Sequence, residues 1–213
     1  MGRRKKEPRG AHREHIAQAA QELFARRGIA ATTMDDIANA AGYSKATLYV
    51  YFKNKEEIVS VLVLESMRRL DDSLSDALAK REGTKERYGL ICEGLARYQE
   101  EFPFYFKMAL DKINVDFADG GFAPEDAEAY RVGEEINEKL KSFLAEGIER
   151  GELRDDLQVM PTIYAFWGML SGFIQLASNK EDYLESALGL PRQRFLDYGF
   201  QLLYDSIAEG AKR

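Results

Sequence analysis

The chain has 213 residues, of which 45% are hydrophobic and 31% charged, and its single cysteine excludes an internal disulfide. A net charge of −6 would argue against nucleic-acid binding if the charge were evenly spread, but residues 1–60 hold eleven Lys and Arg against seven Asp and Glu, a balance of +4. Residues 61–213 hold nineteen against twenty-nine, a balance of −10. A basic end on an acidic body predicts that one small part of the chain meets phosphate.

Helical periodicity covers almost the whole chain, and no run alternates with a period of two, so the predicted fold is all-α. Residues 1–10 form a basic tail that we expect to be disordered, and the first domain is predicted over residues 11–54. Its three helices are predicted over residues 11–27, from residue 34 to about 41, and from about 45 to 52. Further helices are predicted at about 55–80, 84–101, 103–117, 125–150, 159–179 and 192–210, with a loop from Asp116 to Asp126.

Start and stop signals separate the second and third helices. Thr33 followed by Asp36 fits a capping box, Gly42 supplies a turn, and Ser44 can cap the third helix. Two short helices joined in this way form a helix-turn-helix arrangement, whose second helix enters the major groove of DNA.

The third helix has an inner and an exposed side. Leu48 and Phe52 lie four residues apart on one face and are predicted to pack on Ile37 and Ala38. The opposite side and its flanks carry a hydroxyl, apolar groups and two phenols, from Ala46, Thr47, Tyr49, Val50 and Tyr51. These groups can meet thymine methyls, base edges and phosphates.

Residues 19–58, AAQELFARRGIAATTMDDIANAAGYSKATLYVYFKNKEEI, resemble the N-terminal DNA-binding domain of the TetR/AcrR family of transcriptional regulators. The resemblance implies a three-helix helix-turn-helix domain joined through a long fourth helix to a C-terminal helical dimerisation and ligand-binding domain, residues 55–213. It also implies a homodimer that binds a palindromic double-stranded DNA operator. Such a protein is most often a repressor that a small-molecule effector releases, and the aromatic content of the C-terminal part suggests a largely apolar effector.

The resemblance also implies roles for single residues. Thr33 would touch phosphate, Tyr49 phosphate or a thymine methyl, and Tyr51 phosphate. Lys55 would bind phosphate with help from the N-terminal N–H groups of the fourth helix. The full set of expected DNA contacts is Thr33, Ser44, Lys45, Ala46, Thr47, Tyr49, Tyr51 and Lys55.

The acidic part of the chain offers a candidate dimer interface and a candidate ligand site. Gly168 and Gly172, one turn apart, allow close helix approach, and an apolar stripe marks the last helix, so we expect a four-helix interface. The expected interface residues are Gly168, Gly172, Leu196, Phe200, Leu203 and Ile207. Aromatic side chains spaced around a helix cannot share one core face, so some are expected to line a cavity. The candidates are Tyr98, Phe102, Tyr105, Phe106, Met108, Phe166, Trp167, Met169 and Phe173.

A membrane protein is not favoured. The uncharged stretch of residues 157–179 is long enough to span a bilayer, but it contains Pro161 and several polar residues and has no second counterpart. A buried interface helix is the favoured interpretation, and no membrane partner is expected. The N-terminus lacks the apolar core of a secretion signal. The single cysteine, Cys92, suits a reducing compartment, so we expect a cytoplasmic protein.

Two alternatives remain open. The first is a DNA-binding protein of the same fold without a small-molecule inducer. The second is a helical metal-dependent enzyme, suggested by the acidic run from Asp71 to Asp76, although its spacing is wrong for paired metal-binding aspartates. His12 and His15 have no nearby cysteine and give only a weak metal signal. We expect no catalytic residue, no metal site and no cofactor.

Overall fold

A computed structural model describes residues 9–80, 83–110 and 124–210. Within these ranges the chain forms ten α-helices and no strand, which confirms the predicted all-α fold. The helices are α1 Arg9–Arg27, α2 Met34–Ala40, α3 Lys45–Tyr51, α4 Lys55–Leu78, α5 Thr84–Glu101, α6 Pro103–Met108, α7 Pro124–Glu149, α8 Val159–Asn179, α9 Glu181–Leu188 and α10 Arg192–Asp205.

The chain divides into two compact units. The first contains the described residues up to Ser66 and the start of α7 up to Ala129, and the second contains the others. Helices α4 and α7 therefore each contribute residues to both units. The first unit reaches beyond the predicted limit at residue 54, and its buried residues include Ile58 and Leu62 of α4.

The first unit is built around α1, α2 and α3, which pack on one another. Its core residues follow the predicted stripes: Ile16, Ala20, Leu23 and Phe24 from α1, Ile37 and Ala38 from α2, and Leu48 and Phe52 from the third helix and its C-cap. Between α2 and α3, Gly42 adopts a φ of 71°, a left-handed conformation that favours glycine. The turn therefore depends on the residue type that marks it in the sequence.

In the second unit, α8 packs on α5, α9 and α10. Gln99 of α5 is buried and links these helices, because its amide donates to the hydroxyl of Ser178 at 3.2 Å and its carbonyl accepts from Arg192 at 3.3 Å. Helix α8 is the one described helix that is long and apolar enough to cross a bilayer. A single such helix is weak evidence for a membrane protein, since the core helix of a soluble protein meets the same criteria.

Two helix predictions need correction. The helix predicted over residues 103–117 ends at Met108 and is followed by a turn, while residues 111–117 and most of the predicted Asp116–Asp126 loop lie outside the described residues. Helix α9 is missing from the prediction because it has only eight residues. The sequence does contain signals for the end of α9, namely Gly189 and Pro191. In the structure Gly189 has a φ of 61°, and the Leu190 N–H donates to the Leu184 carbonyl at 3.0 Å.

Gly94 marks a close approach of α5 to α4, because a Cβ there would lie 2.7 Å from the Ser73 carbonyl oxygen. We expect Gly94→Ala to lower the free energy of unfolding by about 1–3 kcal/mol, since backbone must move to make room. Gly89 on the same helix has open space around its Cβ position, so Gly89→Ala should raise stability by roughly 0.5–1 kcal/mol. Urea denaturation measures both, and equal stability of the two variants would contradict the close approach.

Candidate DNA-binding surface and effector cavity

The third helix, α3, presents two distinct sides. Leu48 is 0% exposed, whereas Tyr49 is 45% and Val50 62% exposed. The helix begins at the N-cap Ser44, whose hydroxyl oxygen accepts from the Thr47 N–H at 3.1 Å and lies 2.8 Å from the Thr47 hydroxyl. Capping thus fixes the first turn of α3, the part that reaches base edges in helix-turn-helix proteins.

Lys45, the first residue of α3, forms an ion pair with Asp35 in the first turn of α2. The Lys45 Nζ lies 2.8 Å from the Asp35 Oδ1, and both side chains are exposed. The Asp35 carboxylate raises the pKa of Lys45 through this hydrogen bond and its charge. Sequence reasoning missed Asp35, because a residue ten positions away on another helix gives no periodic signal. The pair places a charged donor and a charged acceptor where both helices begin.

Thr33 caps α2 as predicted. Its hydroxyl accepts from the Asp36 N–H at 3.1 Å, while its own backbone N–H donates to the Asp36 carboxylate at 3.0 Å, which completes the capping box. The backbone hydrogen bond from Thr33 holds the pKa of Asp36 below its usual value. Because Thr33 remains exposed, its cap role leaves the hydroxyl at a surface that phosphate can reach.

Lys55, at the start of α4, has an internal role that the sequence does not reveal. Its Nζ donates to the carbonyl oxygens of Ile29 at 2.7 Å and Thr32 at 3.0 Å. An ammonium group has three donors, so one is left for a phosphate contact. The side chain therefore ties the α1–α2 connection to α4, next to the cap residue Thr33.

We expect Lys55→Met to lower the free energy of unfolding by about 1–3 kcal/mol, because two hydrogen bonds from a charged donor are lost. It should also weaken DNA binding on all sequences alike. Lys53 is the matched control, since its side chain is 88% exposed and its Nζ lies 3.8 Å from the Glu57 carboxylate. Thermal melts and binding titrations at several salt concentrations measure both effects. A Lys55→Met variant that behaves like Lys53→Met would refute the internal role.

Tyr51 lies half-buried against α1 at the other end of α3. Its ring centroid is 5.3 Å from that of His12, and the His12 Nδ1 lies 2.6 Å from the hydroxyl of Tyr43. The Tyr51 carbonyl accepts a hydrogen bond from Arg13 at 2.7 Å. Sequence analysis missed Arg13, because its partner on α3 lies 38 residues further along the chain.

An apolar cavity of about 60 Å³ lies within the second unit. Its walls come from α4, α5, α7 and α8 and the segment after α10. The lining residues are Leu74, Tyr88, Ile91, Leu95, Leu140, Phe143, Leu144, Thr162, Ile163, Phe166, Trp167, Leu170 and Ile207. Of the predicted ligand-binding residues, only Phe166 and Trp167 are among them. The Tyr88 hydroxyl donates to the Phe200 carbonyl at 3.1 Å, so it is already paired within the protein.

Cys92 neighbours this cavity in sequence but offers no reactive thiol. Burial raises the pKa of the Cys92 thiol to about 12, so the group stays protonated at neutral pH. Burial also raises the pKa of Tyr88. Neither group supplies charge to the cavity, whose chemistry is therefore that of an apolar binding site.

The other predicted ligand-binding residues lie elsewhere. Tyr98 and Phe102 line a different groove of about 380 Å³ that is rich in charged side chains. Phe106 and Met108 are buried. The guanidinium of Arg69 lies 5.0 Å from the Tyr105 ring centroid.

Met169 is exposed, and Phe173 stacks on Phe195 with ring centroids 4.5 Å apart. An aromatic-rich segment is therefore not by itself a sign of a cavity, because aromatic rings fill a core as readily as they line a cavity.

The structure divides the residues of the predicted dimer interface. Leu196, Phe200 and Ile207 are buried within the single chain. Gly168 and Gly172 are exposed with open space at their Cβ positions, and Leu203 is half-buried. The exposed sides of α8 and α10 carry a different apolar set, which we call the α8–α10 face: Tyr164, Gly168, Met169, Gly172, Leu176, Tyr198 and Leu202.

The first carboxylate of the acidic run that suggested an enzyme takes part in helix packing. Asp71 forms an ion pair with Lys139 of α7, with the Asp71 Oδ1 2.5 Å from the Lys139 Nζ. In the described ranges, no group of three or more His, Cys, Asp and Glu side chains is arranged to hold a metal ion. The pairing of Asp71 gives this carboxylate a structural role.

The known proteins that this chain matches are regulatory proteins. Residues 16–62 match the profile of a family described as bacterial regulatory proteins, tetR family. The fatty acid metabolism regulator protein of Bacillus subtilis (strain 168) is 27% identical over 154 residues, which cover 68% of this chain and 72% of that protein.

Solved structures share the whole fold. The TetR family transcriptional regulator PfmR from Thermus thermophilus is 28% identical, with a TM-score of 0.68 over 94% of this chain and 97% of that chain. FadR from Bacillus subtilis, solved in complex with stearoyl-CoA, is 20% identical, with a TM-score of 0.67 over 90% of this chain and 97% of that chain. At that identity the second likeness shows the fold alone.

Proposed function

Since this chain belongs to the TetR family of transcriptional regulators, we propose that it represses genes by binding a palindromic operator as a homodimer. We propose further that a small, largely apolar molecule in the second-unit cavity releases it from DNA. The observation that carries DNA binding is the capped helix α3, which buries Leu48 and exposes Tyr49 and Val50. The contacts named from sequence remain predictions: all eight lie in the first unit, at the starts of α2 and α4 and along α3 with its N-cap.

Footprinting on DNA upstream of its own gene tests the operator. We expect protection of two half-sites related by a two-fold axis, because half-site symmetry mirrors the symmetry of a dimer. Thr47→Ala should change the preference among operator sequences, since its hydroxyl lies in the first turn of α3. Protection of one asymmetric site by a monomer would refute the proposal.

The α8–α10 face supports the dimer. Its tyrosine, leucine and methionine side chains are exposed in the single chain, and an exposed apolar helix face of this kind is a candidate interaction site. Glycines at 168 and 172 allow another helix to approach the backbone closely. A second copy of the same face, related by two-fold symmetry, would supply both an apolar surface and a closely approaching helix.

The effector class follows from the cavity and from one relative. The lining of the cavity consists almost wholly of apolar side chains, and FadR from Bacillus subtilis binds stearoyl-CoA. We propose that the effector carries an acyl chain or a similar apolar group, part of which enters the cavity. A volume of about 60 Å³ holds only a few heavy atoms, so the effector must widen the cavity or extend out of it.

Trp167 provides the readout, because it lines the cavity and is the single tryptophan of the chain. We expect stearoyl-CoA to change its fluorescence and coenzyme A alone to leave it unchanged. By linkage, operator DNA must weaken stearoyl-CoA binding by the factor by which stearoyl-CoA weakens operator binding. Binding that leaves operator affinity unchanged would show that this molecule is no inducer, while the DNA-binding proposal would stand.

A further inference from the structure

Arg13 of α1 makes two contacts at the C-terminal end of α3 and one with the start of α7. Its Nη1 donates to the Tyr51 carbonyl at 2.7 Å, its guanidinium lies 4.3 Å from the Phe52 ring centroid, and its Nη2 forms an ion pair with Glu125 at 2.6 Å. The side chains of Arg13 and Glu125 are 29% and 27% exposed, so the pair is partly shielded from water. A cation at a helix C-terminus stabilises the last carbonyl groups.

Glu125 is the second residue of α7, and it lies in the first compact unit together with Arg13. Further along the same helix, Leu140, Phe143 and Leu144 line the apolar cavity of the second unit. One continuous helix therefore carries both the carboxylate that holds Arg13 and one wall of the proposed effector site. Any shift of α7 along or about its axis moves Glu125 together with that wall.

We propose that Arg13 is a positioning residue for DNA binding and that α7 controls it through Glu125 according to the state of the cavity. With the ion pair intact, Arg13 holds the C-terminal end of α3, which carries Tyr51. When the cavity wall moves, Glu125 draws Arg13 away from the Tyr51 carbonyl, and α3 loses its C-terminal support. This inference rests on the proposed function of the cavity, but its test needs no effector.

The test is a double-mutant cycle on operator affinity. Leu140→Phe adds volume at the cavity and Glu125→Gln removes the charge that holds Arg13. Fifteen residues of α-helix separate the two sites by roughly 22 Å, and substitutions so far apart normally act independently. We expect Leu140→Phe to weaken operator binding severalfold in the wild-type background and to have at most a third of that effect in the Glu125→Gln background. Glu135→Gln on α7 removes an exposed carboxylate that pairs with Arg131, and in that background the effect of Leu140→Phe should be unchanged.

Arg13→Met tests the positioning role directly. We expect it to weaken operator binding about tenfold, as for a partly buried cation at a helix C-terminus, and to leave no further effect for Glu125→Gln. Phe143→Leu, which enlarges the cavity instead of filling it, provides a second cycle if Leu140→Phe folds poorly.

Independent effects of the two substitutions in both cycles would overturn the inference, as would cavity variants that leave operator affinity unchanged. The inference would also be overturned if Glu135→Gln reduced the effect of Leu140→Phe on operator affinity as much as Glu125→Gln does. The effect would then not depend on Arg13. Failure of the proposed cavity function looks different, because stearoyl-CoA would then leave operator affinity unchanged while the two cycles still showed coupling between the cavity and Glu125.

Discussion

Leu202→Arg is expected to turn the dimer into a monomer and to weaken binding to a full palindromic operator at least about 100-fold. Leu202 belongs to the α8–α10 face and is 58% exposed in the single chain. Two copies of the face would bring two arginines together in an apolar interface, where unpaired charge is strongly unfavourable. Loss of the dimer removes the linkage of the two DNA-binding units, which contributes roughly 10²–10⁴ to affinity.

Leu188→Arg is a matched control, because Leu188 on α9 is also 58% exposed but lies outside the α8–α10 face. It should leave the dimer and the operator affinity unchanged. Sedimentation measures the oligomeric state, and titration on a full operator and on a single half-site separates linkage from intrinsic affinity. If Leu202→Arg lowers affinity for the half-site as much as for the full operator, the loss comes from the DNA-binding unit and not from the dimer.

Leu48→Ala is expected to lower the free energy of unfolding of the first unit by about 2–5 kcal/mol and to abolish operator binding. Leu48 is 0% exposed, so its truncation removes buried apolar area and leaves a void. Because α3 has only seven residues, it is too short to be stable without this packing.

Val50→Ala separates stability from recognition. Val50 is two residues away on the same helix and is 62% exposed, so its truncation should change stability by less than about 0.5 kcal/mol. Any effect on operator affinity would then report contact with DNA. Circular dichroism melts and operator titrations of the two variants distinguish these roles. Equal destabilisation by Val50→Ala would mean that the two sides of α3 have been assigned wrongly.

The first unit was predictable in detail because its signals are local. Thr33 with Asp36, Gly42 and Ser44 each fix a cap or a turn within a few residues, and the structure shows the two caps and the left-handed glycine at those positions. The apolar stripes of α1 to α3 have one side to bury, so periodicity alone identifies Ile37 and Leu48 as core. Local chemistry of this kind needs no knowledge of the tertiary fold.

The second unit was less predictable because its helices have two apolar sides. On α10 the sequence pattern identifies the stripe that contains Leu196 and Phe200, but that stripe packs inside the chain, while Tyr198 and Leu202 face outward. Periodicity shows that a face is apolar and not which neighbour covers it. Most of the cavity lining was missed for a related reason: its aliphatic walls, such as Leu74 and Leu144, come from separate helices. Concave shape arises only when those helices pack.

The exposed apolar side of α3 has a consequence for chemically modified DNA. Ala46 and Val50, four residues apart on α3, are both exposed, and apolar side chains in the major groove contact the C5-methyl group of thymine. Cytosine methylated at C5 presents the same group at the same ring position. We therefore expect half-sites in which a contacted thymine is replaced by 5-methylcytosine to retain more affinity than half-sites with unmodified cytosine, and Val50→Ala to reduce that difference. If so, the methylation state of its operator would be a second input to this regulator.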